Sequence, residues 1–141
     1  MDFAMIGPAI VLGLSCLGSA VGCAIPGMAS HGAMSRVDEG HGKFIGISAM
    51  PSSQSIYGFV LMILMKNALQ AGTLSPLSGI GIGLSIGLAI MVSSIYQGMC
   101  AATAIQACAK QPNIFGKTFA ALGIVESFGL FAFVFGLLLL G

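Results

Sequence analysis

The sequence predicts an all-α membrane protein with four transmembrane helices, arranged as two tandem parallel helical hairpins. Three observations carry this expectation. Of 141 residues, 57% are hydrophobic and only 6% charged, where a soluble chain carries about 25% charged residues. The apolar residues form long continuous runs, whereas a membrane β-barrel shows alternating segments of about ten residues. The two halves of the chain also match each other at offsets of about 70 to 74 residues. A net charge of +1 leaves no basic surface for nucleic acid and no acidic tail.

The start, Met1-Asp-Phe-Ala-Met-Ile, lacks the positive region of a cleaved signal peptide, so the first apolar segment is expected to be retained. The first span is predicted from Ala4 to Met28. Its small residues include Gly18-x-x-x-Gly22, a pair that lets helix backbones approach closely in lipid. Pro26 is expected near the helix end, where a kink costs least. Ser30 to Lys43 reads as a helix end and a water-exposed turn, with His31, Asp38, Glu39 and His41 as solvated loop residues.

The second span is predicted from Phe44 to Lys66. Met50, Ser53, Gln54 and Tyr57 share one helical face by their spacing. Pro51 has no N–H, so a carbonyl one turn earlier is freed and the local backbone loosens. Polar side chains beside spare carbonyls at mid-depth suit an ion-coordinating break in a helix. A turn from Asn67 to Pro76 leads to the third span, Leu77 to Ile105. It opens on Gly79-Ile-Gly81-Ile-Gly83, a packing face and no phosphate loop, since neither a strand nor a charge accompanies it. Gln97 is its strongly polar member, flanked by Ser93, Ser94 and Tyr96. A second polar loop, Gln106 to Lys117, precedes a fourth span running to Gly141. Cys16, Cys23, Cys100 and Cys108 form no C-x-x-C pair and read as small packing residues.

Glu126 is the only acid inside the long apolar runs. At 1.5 Å per residue from Lys117 it lies roughly 13 Å into its span, near the middle of a hydrocarbon core about 30 Å thick. An ionised acid there costs about 2.5–3.5 kcal/mol, which makes it a functional candidate. Arg36, Lys43, Lys110 and Lys117 lie on one side and Lys66 near the other. The positive-inside rule then puts both polar loops in the cytoplasm and both termini outside.

In the repeat, Gly13-Leu-Ser15 matches Gly83-Leu-Ser85, Gly27-Met28 matches Gly98-Met99, Gly42-Lys43 matches Gly116-Lys117, and Gln54-Ser55 matches Glu126-Ser127. The hairpins are expected over residues 1–73 and 74–141, the second carrying the single carboxylate. With Pro51-Ser-Ser-Gln54-Ser-Ile-Tyr57-Gly58, Gln97-Gly98 before Ala101-Ala102, and Val125-Glu126, the chain resembles the proteolipid (c or K) subunit of rotary V-type ATPases, most closely the sodium-pumping bacterial branch. The likeness covers essentially the whole chain apart from loop details.

The resemblance implies a ring of identical subunits turning in membrane lipid against a stator subunit that bears an arginine. It implies Na⁺ held by Glu126, Ser53, Gln54, Gln97 and the Met50 backbone carbonyl, with Tyr57 bonding the glutamate. It further implies a bacterial cell (inner) membrane, central-stalk subunits at the cytoplasmic loops, and ATP chemistry on partners, since the chain carries no nucleotide-binding motif and no catalytic site. The family pattern usually has Thr at Ser53 and often Leu at Met50; Ser keeps the hydroxyl, and a backbone ligand is indifferent to its side chain. Two amide oxygens, a hydroxyl, a carbonyl and a carboxylate exceed what proton binding requires, which favours Na⁺ over H⁺. A rotor carrying H⁺ is the alternative. A self-contained four-helix transporter lacks a second charged partner, and a purely structural subunit leaves Glu126, Gln54 and Gln97 unused.

Overall fold

The structure is a computed structural model that describes residues 3–140. The expected end of the fourth span at Gly141, and the outermost residues of both hairpins, lie outside the described residues. Five helices and no strands are present among those described: α1 Ile6–Met34, α2 His41–Ser48, α3 Ser53–Gln70, α4 Pro76–Lys110 and α5 Phe115–Leu138. Short 3₁₀ turns at Met50–Ser52 and Pro112–Ile114 lead into α3 and α5. With α2 and α3 continuing one another over His41–Gln70, four helices are long and apolar enough to cross a membrane.

The helix ends follow local chemistry. Gly72 closes α3 at φ +74, a conformation that glycine enters without a Cβ penalty. Its N–H donates to the Leu69 carbonyl at 3.2 Å and the Thr73 N–H to the Ala68 carbonyl at 3.0 Å, which makes a Schellman cap. Ser75 caps α4 by accepting the Ser78 N–H at 3.1 Å, with Pro76 in the first turn. Helix α4 runs five residues past its expected end at Ile105, because nothing breaks it until Gln111, whose backbone leaves the helical region ahead of Pro112.

Helix α1 also runs on, to Met34, so Pro26 lies inside it and is fully buried. The Gly22 carbonyl, one turn earlier, has lost its helical donor to the proline. It faces the α-carbon of Gly98, where a Cβ would collide with it. A Cβ on Gly22 would in turn come within 2.6 Å of the Ser94 carbonyl, and one on Gly18 within 2.6 Å of the Met91 α-carbon. Glycines on both helices therefore let α1 and α4 lie backbone to backbone, as expected of small residues in lipid. That pair shares the most extensive contact in the molecule, with α3 laid against α1 and α5 against α4.

The core is layered. One apolar cluster holds Val11, Leu61, Met65, Ile86 and Ile90. The other holds Phe44, Ile47, Ile105 and Leu122, toward the ends bearing Arg36 and Lys110. Between them lie buried Ser15, Ser19, Gln54, Ser93, Ser94 and Gln97. The repeat is written into burial too. In the register of Gly27-Met28 and Gly98-Met99, one residue off that of Gly13-Leu-Ser15 and Gly83-Leu-Ser85, Val11, Ser15, Ser19, Pro26 and Ala33 of α1 fall at Ile82, Ile86, Ile90, Gln97 and Ala104 of α4, and every one of the ten is buried.

Gly98→Val is expected to drive a side chain into the Gly22 carbonyl and destabilise the fold by about 1–3 kcal/mol or more. Gly13→Ala, where nothing lies within 4 Å, is expected to be neutral or to gain up to about 1 kcal/mol of helix propensity. Thermal unfolding in mild detergent, comparing the two variants, checks both.

Candidate functional site

The backbone prepares the site at two places. Pro51 ends the regular hydrogen bonding of α2, and a single 3₁₀ turn carries the chain into α3. In this turn the Ser52 N–H reaches only back to the Ala49 carbonyl, at 3.1 Å. The Pro51 carbonyl accepts the buried Ser94 hydroxyl at 2.9 Å, which fastens the broken turn to α4. One residue earlier on α4, the Ser93 hydroxyl donates to the Val125 carbonyl at 2.8 Å and fastens α5. Adjacent serines on one helix thus hold the turn that carries Met50 and the residue preceding Glu126.

Glu126 is half-buried and receives three donors. The Ser53 hydroxyl donates to Oε1 at 2.7 Å, the Tyr57 hydroxyl to Oε1 at 3.3 Å, and Gln97 Nε2 to Oε2 at 3.3 Å. Tyr57 is steadied by stacking on Phe133, centroids 5.6 Å apart. The other proton of Gln97 Nε2 goes to the Leu122 carbonyl at 3.3 Å. Gln97 Oε1 accepts Gln54 Nε2 at 2.8 Å, with both amides fully buried. Gln54 Oε1 and the Met50 carbonyl lie 3.1 Å and 3.4 Å from the Ser53 hydroxyl oxygen.

Ser53, Tyr57 and Gln97 therefore meet Glu126 directly, and Met50 and Gln54 join it through Ser53 and Gln97. The single-face expectation for Met50, Ser53, Gln54 and Tyr57 is refined by the structure. Ser53 and Tyr57 reach the carboxylate, while Gln54 turns inward and is linked to it through Gln97 and Ser53. Gln97 presents its nitrogen to the carboxylate and its oxygen to Gln54. The bracing roles of Ser93 and Ser94 went unread in the sequence, although both flank Gln97 in a glycine-rich helix. Their partners are backbone carbonyls, which carry no sequence signal.

Ser55 N–H donates to the Ser19 hydroxyl at 3.0 Å, so α1 also ties to the start of α3. Among the described residues no buried side-chain nitrogen or oxygen lacks a partner. No group of three or more His, Cys, Asp or Glu comes together among them either. A cation at Glu126 would thus have one carboxylate and neutral oxygens, which is the chemistry of a hard, singly charged ion or a proton. Such an ion cancels the charge of the carboxylate, and the loaded site becomes tolerable beside lipid.

Comparison with known proteins places two copies of one family model, that of the ATP synthase C subunit, on residues 6–65 and 80–139. The chain is similar to the A-type ATP synthase subunit K of Methanocaldococcus jannaschii, 31% identical over 135 residues, which is 96% of this chain but only 60% of the length of that relative. It is similar to the V-type sodium ATPase subunit K of Enterococcus hirae, 30% identical over 141 residues, 99% of this chain and 90% of that one. The 16 kDa proteolipid of the V-type proton ATPase of Ovis aries is 29% identical over 139 residues, 97% of this chain and 90% of that one.

Ser94→Ala leaves the Pro51 carbonyl buried without its donor and is expected to cost about 1–3 kcal/mol. Ser127→Ala removes only a bond to a carbonyl of its own helical turn and is expected to stay within about 0.5 kcal/mol. Unfolding midpoints in the same detergent separate the brace from the bystander.

Proposed function

The chain belongs to the ATP synthase C-subunit family, as a doubled-hairpin rotor proteolipid of the V/A-type ATPase membrane sector, and on that premise we propose that it carries Na⁺ at Glu126 past a stator as a ring of copies turns. The observation that carries this reading is the crowd of oxygens around one carboxylate. Glu126 Oε1, Gln54 Oε1 and the Met50 carbonyl all lie within 3.4 Å of the Ser53 hydroxyl oxygen. A carbonyl oxygen has two lone pairs, so Gln97 Oε1 can keep Gln54 Nε2 and meet a cation as well. The Ser53 hydroxyl likewise can donate to the carboxylate and lend a lone pair to the ion. That makes five oxygens, near the roughly five or six that a hard cation takes in place of water. A proton needs one carboxyl oxygen and one or two partners.

Tyr57 acts in this reading as a lock. Its hydroxyl and that of Ser53 hold the loaded carboxylate toward the protein. At the stator, an arginine of another subunit draws the carboxylate away and the ion leaves. An emptied, ionised Glu126 is costly against lipid, so charged sites stay at the stator and neutral ones travel. The polar ends bearing Arg36, Lys43, Lys110 and Lys117 face the cytoplasm of a bacterial cell and meet a central stalk, while the termini lie outside. Lys43 Nζ lies 5.3 Å over the Phe115 ring, which ties the two polar loops into one surface. ATP chemistry belongs to partner subunits.

Membranes treated with a hydrophobic carbodiimide should show modification at Glu126, slowed by Na⁺. Labelling that ignores Na⁺ but follows pH would make the chain a proton rotor instead, and a monomer in mild detergent would sink the rotor reading. Ser53→Ala removes one neutral ligand of about 1.5–3 kcal/mol. The Na⁺ concentration giving half protection should therefore rise by about 10- to 100-fold. Ser53→Thr, which keeps the hydroxyl, should restore it to near the original value.

A further inference from the structure

A serine inside a helix commonly turns its hydroxyl back to a carbonyl of its own preceding turn. Ser15, Ser85 and Ser127 do so here, toward Val11, Gly81 and Ile124. Ser19 of α1 and Ser94 of α4, both buried, reach across to the start of α3 instead. The Ser19 hydroxyl oxygen accepts the Ser55 N–H at 3.0 Å, and the Ser94 hydroxyl donates to the Pro51 carbonyl at 2.9 Å.

In a continuous α-helix the N–H of residue 55 donates to the carbonyl of residue 51. The two serines therefore hold the two ends of a single helical rung, one from each side. The helix is interrupted at this point, with a 3₁₀ turn over Met50–Ser52 and regular α3 beginning at Ser53. Pro51 does not account for that by itself. Its missing N–H removes the rung to the carbonyl of Ile47, whereas the rung from Ser55 to Pro51 has both its donor and its acceptor. The hydroxyls of Ser19 and Ser94 occupy them.

We propose that Ser19 and Ser94 are positioning residues that hold this rung open, and that the open turn sets the preference of the site for Na⁺ over a proton. A 3₁₀ turn advances about 120° and 2.0 Å per residue, an α-helix about 100° and 1.5 Å. Closing the rung would wind Met50–Ser52 back by up to about 60° and shorten it by up to about 1.5 Å. A hard cation of the size of Ca²⁺ or Na⁺ holds its oxygens at about 2.3–2.6 Å. Such a movement takes the Met50 carbonyl out of its reach. Ser53 and Tyr57 belong to α3 itself and stay on the Glu126 carboxylate, so a proton there loses no partner. The inference rests on the Na⁺ reading of Glu126 and adds what keeps the backbone ligand in place.

Carbodiimide labelling of Glu126 in membranes tests this with Ser19→Ala, Ser94→Ala and the double variant. Removing both hydroxyls lets the Ser55 N–H and the Pro51 carbonyl pair with each other. The Na⁺ concentration giving half protection should then rise about 10-fold or more, as for the loss of one neutral ligand. The rate of labelling without Na⁺ at the same pH should match that of the unaltered chain. Each single variant strands one end of the rung, so the double variant should unfold in mild detergent no earlier than the less stable single one. Half protection at the original Na⁺ concentration would overturn the proposal. So would an altered labelling rate without Na⁺, or a double variant less stable than both single ones. Labelling of the unaltered chain that ignores Na⁺ would instead overturn the Na⁺ reading beneath it.

Discussion

Hydrocarbon offers no water to a stranded polar atom, and this constraint organises the molecule. Glu126 can be kept at mid-depth only if its oxygens find donors in the protein. The donors must be polar too, and so must be satisfied in turn. The outcome is a chain of dependencies: Ser53, Tyr57 and Gln97 hold the carboxylate, and Gln54 holds Gln97. Serines on α4 then hold the backbone on either side. These groups form one layer between two apolar clusters, so the expensive chemistry is confined to a thin slab of the bundle. The glycine contacts of α1 with α4 make the slab possible, because they bring Gln97 close enough to reach both α3 and α5.

Much of this was legible beforehand, for reasons that differ by residue. The helix count follows from length and hydropathy, since a span needs about 20 apolar residues. Pro51 announced the broken turn because a missing N–H has a local and unavoidable effect. Pro26 misled by the same logic. Its freed carbonyl is covered by Gly98, 72 residues away from Pro26 in the chain, so the helix continues to Met34. A tertiary contact outweighed the local signal. Helical spacing put Met50, Ser53, Gln54 and Tyr57 on one face, and the family resemblance set them, with Gln97, around Glu126. Their division of labour, with Gln54 inward and Ser53 outward, depends on where α4 and α5 sit.

The repeat joins these levels. Twins share burial along α1 and α4, yet they differ at the positions that matter for chemistry. Where the second hairpin has Gln97 and Glu126, the first has Pro26 and Gln54. The same scaffold therefore supports two unlike halves, one supplying the carboxylate and the other most of its partners. Neither hairpin alone contains the site.

This unlikeness has a consequence for the history the sequence can follow. A single Gln54→Glu change would restore an acid to the first hairpin, but not its surroundings. The new acid would lie against the Gln97 oxygen, an acceptor, to which Gln54 Nε2 now donates. It would also break the amide pair that positions Gln97. One such step would disturb the surroundings of Glu126 without building an equivalent set of donors for the new acid. The first hairpin is thereby committed to serving the second: its amide holds Gln97 in place, and four membrane helices share one carboxylate.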